Sequence, residues 1–84
     1  MYEIDVDASA REQIRALPEK ALVAVMEAMT FLELTPWNGS PIHKANPQGA
    51  VRQVPVADGL GLLTYLVLED QRRVDVLDIT WLGD

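Results

Sequence analysis

Apolar and polar residues alternate at period two at the start of the chain, then recur at helical spacing, then run together. Tyr2-Glu-Ile-Asp-Val-Asp7 predicts a half-buried strand, with Tyr2, Ile4 and Val6 facing a core and Glu3, Asp5 and Asp7 facing outward. Asp7 or Ser9 then opens a helix, because Ser9-Ala-Arg-Glu12 has capping-box spacing and Ala10, Ile14 and Leu17 follow at helical intervals. Pro18 has no N–H to donate, so it ends this helix, and it suits the first turn of the next. The second helix is expected from about Pro18 to Leu34. Leu22, Val25, Met29 and Leu32 form one stripe, suited to a sheet, and Ala21, Ala24 and Ala28 form another that leaves room for the first helix. Lys20, Glu27, Thr30 and Glu33 lie opposite. Met26 and Met29 read as core filler.

Thr35 to Gly49 is rich in proline, glycine and asparagine and reads as a long loop, with Trp37 its expected anchor against the helix pair. Val51-Arg-Gln-Val-Pro-Val56 is the next strand, and Pro55 within it implies an edge-facing position or a bulge. After the turn Ala57-Asp-Gly59 comes Leu60 to Leu68, apolar except for Gly61 and Thr64 and free of charge, the signature of a strand covered on both faces. Arg73 to Trp81 returns beside it after the turn Glu69-Asp-Gln-Arg72. Two helices followed by a strand meander predict one α+β domain over residues 1–84, ordered β-α-α-β-β-β, with both helices on one face of a largely antiparallel four-stranded sheet.

Composition narrows the chemistry. The chain has 84 residues, 49% of them hydrophobic, so it can build a core, though a small one. It has no cysteine and one histidine, His43, which leaves no basis for a disulfide framework, a thiolate site or a histidine-built metal site. No metal and no cofactor are expected. No segment is long and apolar enough for a membrane span, and the start lacks a basic signal-peptide region, so a soluble, cytoplasmic protein is expected. Seven Lys and Arg against thirteen Asp and Glu give a net charge of −6. Phosphate neutralisation supplies most nucleic-acid affinity, so this balance disfavours a nucleic-acid partner, except through the ribosome.

The order of elements resembles the RelE/ParE superfamily, the toxins of bacterial type II toxin–antitoxin modules. The likeness covers the opening strand Tyr2–Val6, the Ala-x-x-x-Ile-x-x-Leu-Pro passage at Ala10–Pro18, and the long helix running into Thr35-Pro36. It continues through Val51-Arg52-Gln-Val, Asp58-Gly59, Leu63-Thr-Tyr65 and the closing Val74–Thr80. It implies a cognate antitoxin as partner and allows the first and last strands to pair in parallel. The ribonuclease members carry basic residues on the middle strand, an arginine entering the next, and catalytic groups near the C-terminus. Here Arg52 matches the first basic position, but Val54 occupies the second, Leu62 stands where the arginine is expected, and no basic or histidine residue lies near the terminus. Cleavage of RNA requires charge stabilisation at the phosphate together with a general acid and base. The departures therefore imply a degenerate ribonuclease site.

The candidate catalytic residues are Arg52, His43 and Lys44, which the loop could gather over the sheet. The plainer alternative is an exposed loop His43 and Lys44, with Arg52 paired to an acidic neighbour. Arg72 and Arg73 could hold a phosphate or pair with Glu69, Asp70 and Asp75. Trp81 is either an interface anchor or a core residue. Val54, Leu62, Tyr65 and Trp81 are the candidate partner-binding residues, because two helices can cover only one face of a sheet whose central strand is apolar on both. A second copy or a partner's helix or strand is expected on the other. The leading function is a toxin-family component acting through protein contacts. The alternatives are an mRNA endonuclease with a rearranged site and a non-toxic homodimeric interaction module.

Overall fold

A computed structural model describes residues 1–83. Strand β1 (Glu3–Val6) leads into helices α1 (Ala8–Arg15) and α2 (Glu19–Leu34), then β2 (Ser40–Pro41), β3 (Val51–Val56), β4 (Gly61–Leu68) and β5 (Arg73–Trp81). The strands form one mixed sheet in the order β1-β5-β4-β3-β2, antiparallel except where β1 runs parallel to β5. The α+β class and the helix positions match the expectation. The strand count is five rather than four, because the long loop returns Ser40 and Pro41 to pair with Gln53 and Arg52.

Proline and polar side chains set the helix limits. Pro18 stands just outside α2, in extended conformation, and its carbonyl accepts the Leu22 amide. The capping box does not form. Ser9 donates its hydroxyl to the Asp7 carboxylate at 2.9 Å, and Glu12 pairs with Arg15 along the exposed side of α1 at 2.9 Å. Helix α1 lies chiefly along β5. There Gln13 accepts the Ile79 amide at 2.8 Å and donates to Asp78 at 2.8 Å, covering the stretch of β5 that runs past the end of β1. An otherwise open sheet edge is thereby closed by a side-chain amide. A bulge opposite Thr64 and Tyr65 adds a residue to β5 just before this point.

The core lies between the helices and one sheet face. Ala10, Val25 and Leu32 meet Val56, Leu63, Tyr65, Val67, Val74, Val76 and Ile79, all buried. Each large aliphatic side chain there contributes roughly 1.5–3 kcal/mol relative to exposure. Helix α2 departs from expectation at Met26. Met29 packs against the core, but Met26 is 56% exposed, because it sits beyond the arc of the helix that the sheet covers.

The register assigns each side chain to a face. Arg52 pairs with Tyr65, Val54 with Leu63 and Val56 with Gly61, so these residues share the helix-covered face. Val51, Gln53 and Pro55 share the other with Leu66, Thr64 and Leu62. Val54 thus lies under the helices, packed against the core, and not beside Leu62 on the open face. Pro55 extends past the short β2, so its missing N–H falls on an unpaired edge, as its chemistry requires.

Candidate functional site

Of the side chains chosen from the sequence, Arg52 and Tyr65 meet where β3 and β4 pass beneath the loop that follows α2. Arg52 is 7% exposed, the one buried charged residue among the described residues. Its Nε donates to the Gly39 carbonyl at 2.9 Å, and one terminal nitrogen donates to the carbonyls of Gly49 at 2.9 Å and Pro47 at 3.3 Å. The guanidinium lies 5.3 Å from the centre of the Trp37 ring. A buried cation without a carboxylate is costly unless its protons are satisfied. Here three loop carbonyls and an aromatic face take that role.

Tyr65, opposite Arg52 in the ladder and fully buried, completes the tether. Its hydroxyl donates to the Pro36 carbonyl at 2.6 Å and accepts the Gly39 amide at 3.1 Å. Burial pushes its pKa up, opposed by the Gly39 hydrogen bond and the Arg52 charge. Gly39 is required for the approach, since a Cβ at that position would lie 2.1 Å from the Tyr65 hydroxyl oxygen. Arg52 and Tyr65 therefore hold both ends of the loop from inside the molecule.

His43 and Lys44 lie at the solvent end of this loop, just past β2, and both are exposed. The His43 carbonyl accepts the Asn46 amide at 2.9 Å, while among the described residues neither side chain makes a hydrogen bond or ion pair. The loop leaves His43 and Lys44 in water and turns Arg52 inward.

A second polar cluster, not anticipated from the sequence, joins three distant segments around Glu69. One carboxylate oxygen accepts the Tyr2 hydroxyl at 2.5 Å and the Trp37 indole N–H at 2.7 Å, and the other accepts from Arg72 at 3.0 Å. The Arg72 guanidinium also stacks 4.2 Å from the centre of the Tyr2 ring. Trp37 is thus anchored to the β4–β5 turn, not to the helix pair, and remains 38% exposed. The only sequence signal was the spacing of Glu69 and Arg72 in one turn. The Tyr2 hydroxyl bond holds the Glu69 pKa below the ordinary carboxylate value, helped by the Trp37 bond and Arg72, while the same Glu69 bond raises Tyr2. Shifts in these directions carry both groups away from neutral pH and make them poor proton-transfer groups there.

Arg73 pairs with Asp75 through its Nε at 2.8 Å on the open face, so both turn arginines have carboxylate partners. Leu62 lies on that face, in a strip with Val51, Leu66 and Leu68. Trp81 faces the helices, against Val56, Gly61 and α2, and its indole nitrogen is buried without a hydrogen-bond partner among the described residues. Among those residues no three His, Asp or Glu side chains are placed to share a metal ion, and no helix is long and apolar enough to cross a membrane.

No family model and no curated protein matches this sequence. Solved structures do match in shape. The isolated E. coli RelE toxin superposes with a TM-score of 0.82 at 14% identity, covering 100% of this chain and 87% of that one. A chain of the Mycobacterium tuberculosis RelBE2 toxin–antitoxin complex gives 0.78 at 23% identity over 95% of this chain and 96% of the other. The archaeal RelE–RelB complex from Pyrococcus horikoshii gives 0.68 at 14% identity, covering 98% and 96%. At these identities the likeness is one of architecture, and the architecture is the RelE-like toxin fold.

Proposed function

We propose that the chain is the toxin-fold component of a type II toxin–antitoxin pair, bound by an antitoxin protein and acting through protein contacts. The fold supports the pairing, since structural neighbours include RelE chains in complexes with RelB-type antitoxins. The observation that carries the choice of protein contacts over RNA cleavage is the orientation of Arg52. Its guanidinium is committed to the carbonyls of Gly39, Pro47 and Gly49. The positions where the resemblance leads one to look for further cations hold Val54, packed under the helices, and Leu62, on the opposite face. On the open face a phosphate would meet the Leu62 strip and an Arg73 already paired with Asp75, in a chain of net charge −6.

The test is induced expression of the chain alone in a bacterial host, following growth and mRNA integrity together. Growth arrest with intact mRNA is the expected result. Arrest with cut mRNA would replace this reading by an endonuclease built around His43 and Lys44, with Arg52 released from its carbonyls. Normal growth of cells making folded protein would remove the toxin role and leave an interaction module, whose homodimerisation is then measured by sedimentation.

A further inference from the structure

We propose that the free edge of β1 docks an extended partner segment in which aliphatic residues alternate with lysine or arginine. Docking at this edge does not depend on the protein being toxic.

Strand β1 ends the sheet. The amides of Glu3 and Asp7 point inward, to the carbonyls of Arg72 and Val76, so the amides and carbonyls of Tyr2, Ile4 and Val6 point outward. The Tyr2 amide is taken by the Glu33 carbonyl of α2, and the Val6 amide by the carboxylate of Asp5 beside it. Ile4 offers both a donor and an acceptor to the free edge. The opposite sheet edge is defended differently, by Pro55 and by a β2 of two residues.

Side chains give this edge a two-sided character. On the helix side, Ile4 and Val6 floor one groove with Met26, Met29 and Thr30, and a second with Arg11 and Ile14. Met26, more than half exposed, supplies an apolar wall. On the open side stand Glu3 and Asp5 at the edge, with Arg73 across the ladder from Glu3 but paired to Asp75. Asp5 is 3.8 Å from Arg11, with both side chains more than half exposed, a contact weak enough for an incoming strand to replace.

Charge then selects the occupant. A second copy of β1, antiparallel about Ile4, would place Asp5 opposite Glu3 in two symmetric pairs, and directly opposed like charges destabilise a ladder. A strand carrying Lys or Arg at those positions reverses the sign of that contact. Its alternate residues then point toward Ile4, Val6 and Met26, where aliphatic side chains fit. The geometry is β-augmentation with specificity from alternate positions.

The test uses the full chain with two capped hexapeptides, one alternating lysine and valine, the other glutamate and valine. Binding is followed by fluorescence anisotropy, and backbone amide exchange is followed by NMR. The lysine peptide is expected to bind and to slow exchange of the Ile4 amide by about tenfold or more at saturation. The Glu3→Lys/Asp5→Lys double variant, whose changes are exposed and leave the core intact, is expected to prefer the glutamate peptide. Binding of the lysine peptide with no protection at Ile4 would mean attraction to the net charge alone, and would overturn the proposal. Equal binding of both peptides, protection along β3, or no binding would do the same.

Discussion

Beneath the helices, Arg52 and Tyr65 direct their polar atoms to backbone groups of one loop, out of water. On the opposite face, Arg73 and Asp75 pair within reach of solvent, beside an aliphatic strip that no element among the described residues covers. The same residue type, arginine on a strand, thus does different work on the two faces. The buried one fixes a loop, and its loss would orphan carbonyls in a low-dielectric setting. The half-exposed one neutralises a carboxylate that water could also serve. Strength of tethering and availability to a partner are separated across the thickness of one sheet.

Substitution should expose that asymmetry most at Arg52. Arg52→Met keeps much of the aliphatic stem and is expected to cost about 3 kcal/mol, because the Gly39, Pro47 and Gly49 carbonyls lose their donors. Arg73→Met on the open face should cost less than about 1 kcal/mol. Urea denaturation at unchanged m-value measures both, and equal losses would contradict the distinction between the faces. Tyr65→Phe removes only the hydroxyl and should cost about 1–2 kcal/mol, with faster exchange of the Gly39 amide as its local signature.

A partner-directed change should show the reverse profile. Leu66→Lys on the open face is expected to lower monomer stability by only about 1 kcal/mol, since the side chain is half-buried and its ammonium can reach water. It should weaken any protein partner that covers the strip, measured by copurification or, for a self-partner, by sedimentation. Retained association would move the interface away from this face.

The sequence resolved the period-two and period-3.6 patterns well because burial imposes them, and the core at Val25, Leu32, Leu63 and Val74 follows from those patterns. It resolved side assignment poorly on β3. Val54 and Leu62 are adjacent in the sheet but belong to different faces, because the pairing register sets Val54 opposite Leu63. No local signal sets that register. The inward turn of Arg52 was equally invisible, since its partners are carbonyls, which every residue carries. Trp37 went to Glu69 and not to the helices because an indole N–H near a carboxylate gains a charge-assisted bond that packing alone does not offer. Contacts that join Tyr2, Trp37 and Glu69 span most of the chain, and only the folded topology brings them together.

The smallest expected effect is the pH dependence of that three-way junction, which lies at the rim between the two faces. Glu69 has its folded-state pKa lowered, first by the Tyr2 hydroxyl bond and then by Trp37. Its stabilising contribution is therefore complete above the ordinary carboxylate value of 4.5 and is lost as pH falls through the depressed folded value. Tyr2 is shifted the other way, raised chiefly by the Glu69 bond. Its contribution is complete below the ordinary value of 10.0 and is lost as pH rises from there through the elevated folded value. Glu69→Gln keeps the size of the side chain and an oxygen that can still accept from Tyr2 or Trp37, but removes the titrating charge. Its stability relative to wild type should therefore be lowest on the plateau between the two shifts, with the difference narrowing toward the acid and alkaline ends. The Glu69 side chain is about half open to solvent, so the change in denaturation midpoint should be modest. A difference constant across the whole range would mean that Glu69 contributes packing alone and that the junction carries no linked protons.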